Sequence, residues 1–427
     1  MIIGGGFGGI AAARALKHAP VRLTMIDRRN HHLFQPLLYQ VATAALNPSD
    51  IASPIRRILR RQGNASVILG EAVSIDTRRK IVQLADGEVA YDYLIVASGA
   101  THSYFGHDEW LEAAPGLKTL EDAVEIRRRV LVAYEAAERE VDAAEVANWM
   151  TFVIIGAGPT GVEMAGALAE ISRRVLERDF RTIDPGNARI ILIEAGPRVL
   201  PAMSPESSAS ARRQLERLGV EVITDSPVTA VDDRGVMHGG ARLDSRTVIW
   251  AAGVAASPLG KTLGADVKLD RAGRVIVNQD LSVPAADSVF VIGDLASISS
   301  DGKPVPGLSP AAMQEGRHAA RNVTRLIHGE PTLPFHYRDK GTLATIGKAA
   351  AVADIAGLHL SGLVAWLMWL FVHIFFLIGF RNRFIVIVEW AWTYVRNDRG
   401  ARLITGNVEP MLERGEKPEN RKRMLSK

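Results

Sequence analysis

Gly4-Gly5-Gly6-Phe7-Gly8-Gly9 closes a short apolar strand, Met1–Ile3, and opens a stretch rich in small residues, Ile10–Leu16. The same plan returns about 150 residues later, where Gly156-Ala157-Gly158-Pro159-Thr160-Gly161 follows the apolar run Thr151–Ile155 and precedes Val162–Ala169. Strand, glycine turn and helix in that order give a G-x-G-x-x-G pattern its meaning. The first glycine makes the tight turn, the second admits a pyrophosphate, and the third lets helix pack on strand. The helix N-terminus then offers free N–H groups and a positive dipole to the phosphates. One such pattern is weak evidence. Two, each followed by a strand-end acid, predict an α/β chain with two Rossmann-like domains, and the economical pair of ligands is a flavin and a nicotinamide.

The acids are Asp27, 23 residues after Gly4, and Glu194, 38 residues after Gly156. A carboxylate there accepts the hydroxyls of an adenosine ribose and repels a 2′-phosphate, so Glu194 favours NADH over NADPH. A third acid, Asp294, follows the apolar run Ser288–Ile292 and is read as a ligand of the ribityl or pyrophosphate region rather than a simple helix cap. Because that run comes after the second fingerprint, the first domain is expected to be interrupted by the second. Helical spacing over 119–147 leads into the second fingerprint, and Ala97-Ser98-Gly99 marks a turn near the first cofactor.

The 427 residues leave room for two or three domains, and 47% hydrophobic residues is high for a purely soluble enzyme. A net charge of +4 makes no case for nucleic acid, and the basic run Arg56, Arg57, Arg60, Arg61 has the spacing of a solvated helix face, with anionic lipid as the rival reading. No secretory pattern precedes residue 4, which argues against export. With only Met1–Ile3 ahead of Gly4, the first strand is shorter than usual, and a start upstream of Met1 is expected. The chain has no cysteine, which excludes disulfides, thiolate metal sites and redox chemistry at sulfur. No metal is expected, since His31 and His32 are adjacent rather than at ligand spacing.

From Gly362 the character changes. Gly362–Phe380 is a 19-residue stretch without formal charge, twelve of its residues being Leu, Ile, Val or Phe, and Phe384–Val395 is a second apolar stretch. Four of the seven tryptophans, Trp366, Trp369, Trp390 and Trp392, lie here. In an insertion setting the aliphatic and Phe residues favour the membrane by about 5 kcal/mol. A membrane-spanning helix, an in-plane anchor and a buried core or dimer face all remain open.

Asn30-His31-His32-Leu33-Phe34-Gln35-Pro36-Leu37-Leu38-Tyr39-Gln40-Val41-Ala42, together with Tyr93–Gly99, Val291-Ile292-Gly293-Asp294, Gly341–Lys348 and Phe380-Arg381-Asn382-Arg383, resembles the type II, non-proton-pumping NADH:quinone oxidoreductases over essentially the whole chain. The resemblance implies that Gly4, Gly6, Phe7, Gly9, Asp27, Gln35, Gly99, Gly293, Asp294 and Ala312 hold FAD. It implies that Gly156, Gly158, Gly161, Glu194 and Gly253 hold NADH. Glu163 matches a family glutamate near nicotinamide and flavin; its plainer reading is a first-turn acid on the helix dipole. Gln314 fits the second of two family glutamines beside the flavin ring, with Pro310 in place of the first. Lys348 either faces reduced flavin or quinone, or is a strand-end surface lysine.

The implied organisation is a discontinuous FAD domain over 1–115 and 256–343, an inserted NADH domain over 116–255, a membrane-anchoring region over 344–411 and a polar tail over 412–427. The resemblance also implies a monotopic anchor on the cytoplasmic face of the inner (plasma) membrane, a membrane quinone and lipid surface as partners, and a homodimer. Deleting the chain from Ser361 onward is expected to release it from membranes. Two rival functions share the fingerprints: a soluble reductase serving a ferredoxin-like protein, and an NADH-sensing flavoprotein interaction module. The first has no use for the apolar C-terminal region; turnover with a quinone separates the second. Disulfide reductases, flavin peroxidases and sulfide:quinone oxidoreductases each depend on cysteine and are eliminated.

Overall fold

A computed structural model describes residues 1–177, 179–284, 286–396 and 399–406, so the polar tail expected over 412–427 lies outside the described residues. The chain divides into two compact units, Met1–Leu33 with Ala52–His102 and Val254–Lys340, and Phe34–Ile51 with Ser103–Gly253 and Gly341–Lys427.

The first unit is built on a six-stranded sheet, in the order Ser282–Val283, Ala286–Val291, Leu94–Val96, Ile2–Ile3, Leu23–Asp27, Ala65–Leu69. The edge strand Ser282–Val283 is antiparallel and the other pairings are parallel. The first strand has only two residues, yet both pair on either side, to Met25 and Ile26 and to Ile95 and Val96. Helix Phe7–Ala15 crosses helix Ser309–Ile327 at bare backbone: a Cβ on Gly316 would lie 2.2 Å from the Gly8 carbonyl oxygen. Strands Ala100–His102 and Val254–Ala256, where the chain leaves this unit and returns, pair antiparallel with His102 opposite Val254. The basic run falls on helix Ile55–Leu59 and the residues after it, with Ile55 and Leu59 buried and the four arginines exposed, an arrangement that a solvated face and a lipid contact share.

The second unit repeats the parallel plan with four strands in the order Val220–Ile223, Arg189–Ile193, Thr151–Ile155, Thr247–Trp250. The helix expected over 119–147 is two helices. Leu120–Arg139 starts on a capping box made by Thr119 and Asp122, and Ala143–Trp149 starts afresh because the Asp142 side chain accepts from Ala144 N–H. The fingerprint helix Pro159–Glu170 packs on a C-terminal antiparallel sheet of Thr342–Gly347, Ala350–Ile355 and Leu358–Ser361. Contact is close at Gly166, where a Cβ would sit 1.6 Å from the Ile346 carbonyl oxygen.

The long apolar stretch is not one helix. Helix Gly362–Phe376 ends after 15 residues, and helix Phe380–Arg396 begins beyond a turn that places Gly379 at φ +96°. The Arg383 side chain reaches back to donate to the carbonyls of Leu377 (2.8 Å) and Phe375 (2.7 Å), satisfying the helix end that the turn exposes. Fifteen residues rise about 22 Å, against a hydrocarbon core of about 30 Å. Among the described residues no helix is long and apolar enough to cross a membrane, which overturns the spanning reading. Both helices carry apolar side chains outward: Val364, Leu367, Phe371 and Phe375 on the first, Phe384, Ile387, Val388 and Trp392 on the second. Their inward residues tie them to this unit. Trp369 is buried, Trp390 donates to Gln40 Oε1 at 2.7 Å, and buried Asn382 donates to the carbonyls of Ser49 and Asp50.

Candidate nucleotide sites

The two fingerprints fold into loops of closely similar backbone angles. Gly4 has φ +98° and Gly156 φ +97°, a region that penalises any Cβ, and a Cβ there would strike Ala97 O at 2.3 Å or Ala252 Cα at 2.4 Å. Cβ atoms on Gly9 and Gly161 would fall 1.9 and 1.8 Å from the carbonyl oxygens of Gly4 and Gly156, so only glycine lets each helix lie on its strand. Gly6 and Gly158 are different. Each is the N-cap of its helix with no side-chain cap, and a Cβ there would meet no described atom within 4 Å. Uncapped N–H groups beside a space that any side chain would fill make a cradle for an anion.

The acids repeat the correspondence. Asp27 Oδ2 accepts from Gly5 N–H at 2.6 Å and its Oδ1 from Arg29 N–H at 2.7 Å. Glu194 Oε2 accepts from Ala157 N–H at 2.7 Å and its Oε1 from Gly196 N–H at 2.9 Å. Each carboxylate is held by one N–H of its own fingerprint and one just downstream, leaving further lone pairs for hydroxyls.

In the first unit Gly4, Gly6, Phe7, Gly9, Asp27, Gly99, Gly293 and Asp294 all lie at or just past the carboxyl ends of neighbouring parallel strands, where open α/β sheets bind ligands. Gly99 and Gly293 take φ +68° and +70°, and a Cβ on Gly293 would touch the Cβ of Ala312 at 3.5 Å. Asp294 sits in the short turn Gly293–Leu295, so it caps no long helix. In the second unit Gly156, Gly158, Gly161, Glu194 and Gly253 gather at the same end of their sheet. Gly253 lies under the Phe105 ring, which a Cβ would meet at 2.6 Å. Gln35 falls in the second unit, half-buried at the start of the turn Gln35–Leu37.

Three further residues take definite places. Glu163 is the fifth residue of its helix, past the first turn, so the dipole reading does not apply. Burial pushes its carboxyl up to about 8, against the opposing pull of the Thr345 backbone N–H, so a neutral acid is held there near pH 7. The native state therefore binds more protons than the unfolded chain between the ordinary carboxyl pKa of 4.5 and about 8. That stability is present below the lower value and lost as pH rises through the upper. Glu163→Gln is expected to match the parent in Tm near about pH 4, below the unfolded value, and exceed it near about pH 9; an equal difference at both would contradict the raised carboxyl. Gln314 uses both ends of its amide on one residue, donating to Arg338 O and accepting from Arg338 N–H, each at 3.0 Å. Lys348 is exposed at the turn between two C-terminal strands, where its backbone N–H donates to Glu170.

Sequence reading missed Glu315. It is 3% exposed and accepts from Gly293 N–H at 2.5 Å, and burial raises its pKa to about 7, with that N–H lowering it and Asp294 raising it. The signal was present, since Glu315 interrupts the small-residue face Ala312, Gly316, Ala319 of an amphipathic helix.

Comparisons with known proteins agree with this geometry. The pyridine nucleotide-disulphide oxidoreductase family matches residues 1–316, and the NDH2 C-terminal domain family matches residues 340–396. The chain is 46% identical to the type II NADH:quinone oxidoreductase NdhA of Mycobacterium tuberculosis, covering 96% of this chain and 89% of the relative. It is 43% identical to Ndh of the same organism, over 95% and 90% of the two chains. The fold matches NDH2 from Plasmodium falciparum, solved in complex with NADH, with a TM-score of 0.86 at 21% identity over 95% and 99% of the chains. The wider family takes its name from disulphide chemistry, which a chain without cysteine does not perform. On matched cradles, full-length relatives and a shared C-terminal domain, the chain belongs to the type II NADH:quinone oxidoreductases.

Proposed function

We propose that this chain oxidises NADH and reduces a membrane quinone through FAD, without pumping protons. The observation that carries the proposal is the pair of matched cradles, one per unit, each with an uncapped helix N-terminus, an open glycine and a carboxylate held by two backbone N–H groups. FAD, when bound, supplies the relay between a two-electron hydride donor and the quinone. The chain's own residues bind and orient. Gly4, Gly6, Gly9, Asp27, Gly293 and Asp294 would hold FAD, with Phe7, Gly99 and Ala312 shaping the same cradle and Gln35 joining the set from the resemblance. Gly156, Gly158, Gly161, Glu194 and Gly253 would hold NADH. Glu163, as a neutral acid, is suited to donate a hydrogen bond near the nicotinamide. Gln314, with its amide engaged by Arg338, acts by fixing the chain that follows it, and Lys348 is a candidate for the quinone side.

The first unit corresponds to the FAD domain and the sheet Thr151–Ile155 with its neighbours to the NADH domain. The outward apolar faces of the two C-terminal helices would lie in the plane of a lipid surface, with the exposed Trp392 near the headgroups. Contiguous exposed Phe, Leu, Ile and Val on helices whose inner faces are already packed support that placement. Attachment at the cytoplasmic face of the inner (plasma) membrane and a homodimer belong to the same reading.

Purified protein is expected to be yellow, to bleach on adding NADH and to regain colour when a short-chain quinone is added. NADPH should bleach it far more slowly, because the Glu194 carboxylate opposes a 2′-phosphate. A flavin spectrum unmoved by NADH would overturn the function; equal kcat/KM for the two coenzymes would overturn the role of Glu194.

A further inference from the structure

The two cradles differ in what holds one carbonyl. The second residue of each fingerprint, Gly5 or Ala157, gives its N–H to the strand-end acid. Its carbonyl also needs a partner. In the second unit the backbone N–H of Leu200 donates to Ala157 O at 2.8 Å. In the first unit a side chain takes that place: His32 Nδ1 lies 2.9 Å from Gly5 O. His32 is 2% exposed, on strand His31–Leu33, with its ring edge-on to Phe7 at 5.0 Å between centroids. A carbonyl only accepts, so the Nδ1 carries the proton. The other nitrogen, Nε2, is buried with no hydrogen-bond partner among the described residues. The hydrogen-bonding capacity of this buried ring therefore goes to the fingerprint.

The peptide joining Gly5 to Gly6 is planar and trans, so its C=O and N–H point in opposite directions. Fixing the Gly5 carbonyl fixes the direction of the Gly6 N–H, at the residue whose Cβ would meet nothing within 4 Å. We propose that His32 is the positioning residue of the FAD phosphate cradle, holding the Gly5–Gly6 peptide so that the Gly6 N–H faces the pyrophosphate, a task the main chain of Leu200 performs in the NADH cradle. His32 acts through the peptide and touches no reacting atom. The proposal rests on the assignment of FAD to the first cradle. It makes flavin retention dependent on one side chain, while NADH binding depends on none at the matching position.

Asn carries an N–H close to the position of the imidazole Nδ1, and Leu carries a methyl there. FAD content per chain, the rate of FAD loss on dilution, apoprotein Tm and NADH affinity are measured for the parent, His32→Asn and His32→Leu. The Leu variant is expected to lose FAD about tenfold faster, roughly the effect of one buried hydrogen bond, with apoprotein Tm and NADH affinity near the parent's. The Asn variant is expected to retain FAD within a factor of about three. Equal FAD retention by the Leu variant and the parent overturns the proposal. Equal FAD loss in both variants with a matching fall in apoprotein Tm also overturns it, since His32 would then be a packing residue. A parent protein that binds no FAD defeats the assignment of function instead.

Discussion

Gly158→Asp is expected to leave a folded, yellow protein with an unchanged or raised Tm and a kcat/KM for NADH at least about 100-fold lower, a loss of about 2.7 kcal/mol of transition-state stabilisation. The two effects have opposite signs because one position serves two purposes. As the N-cap of helix Pro159–Glu170, with φ −67° and ψ −178°, residue 158 accepts any side chain without strain, and a Cβ there meets no described atom within 4 Å. Asp is among the best N-cap residues, so the helix gains a side-chain cap. The same carboxylate occupies the space and the N–H groups that a pyrophosphate needs, and it repels the phosphates. Gly161→Ala provides the contrast. Its Cβ would lie 1.8 Å from a carbonyl oxygen, so folding itself should fail. Steady-state kinetics with NADH, flavin content and thermal unfolding of both variants check the pair; an Asp variant that uses NADH normally would remove pyrophosphate from that cradle.

The second large effect concerns the membrane. Leu367→Glu, Phe371→Glu and Phe375→Glu together are expected to move the protein from membranes to the soluble fraction while NADH oxidation with a water-soluble quinone persists. These side chains are 52%, 67% and 58% exposed on one stripe of helix Gly362–Phe376. If lipid covers them, each contributes about 1.5–3 kcal/mol, and losing three lowers membrane partitioning more than about 1,000-fold. Deleting the chain from Ser361 onward is a poorer test. It would also remove Trp390 from Gln40, Asn382 from Ser49 and Asp50, and Arg399 from the Thr43 carbonyl, opening the second unit. Continued membrane association of the triple variant would sink the anchor.

Much of this was legible in the sequence because it is local. Strand, glycine turn, helix and strand-end acid are fixed by conformational needs within about 40 residues, and Asp27 and Glu194 stand where spacing put them. Contacts between a side chain and distant backbone were not legible. The break after Phe376 depends on Arg383 reaching back past the turn, and an uncharged 19-residue run carries no sign of it. The shifted carboxyl of Glu163 depends on burial against a strand 182 residues away in the chain, and the clamp of Gln314 on Arg338 on a chain path that periodicity does not encode. Phe34–Ile51, read from sequence with the first domain, packs with the second unit, where Leu38–Ala42 lies on Leu120–Arg139.

The antiparallel pair of Ala100–His102 with Val254–Ala256 brings together the two strands that flank the inserted segment. Closing an unstructured loop costs entropy that grows with the logarithm of its length, so a disordered loop of about 150 residues costs roughly 2 kcal/mol more than one of ten. Once Ser103–Gly253 has folded, with Ser103 N–H donating to Gly253 O at 3.2 Å, its ends already lie together and that excess disappears. The interrupted sheet of the first unit then closes as though joined by a hairpin turn. If the inserted segment forms first, lengthening surface loops inside it is expected to leave refolding of the first unit unslowed, as refolding kinetics would show.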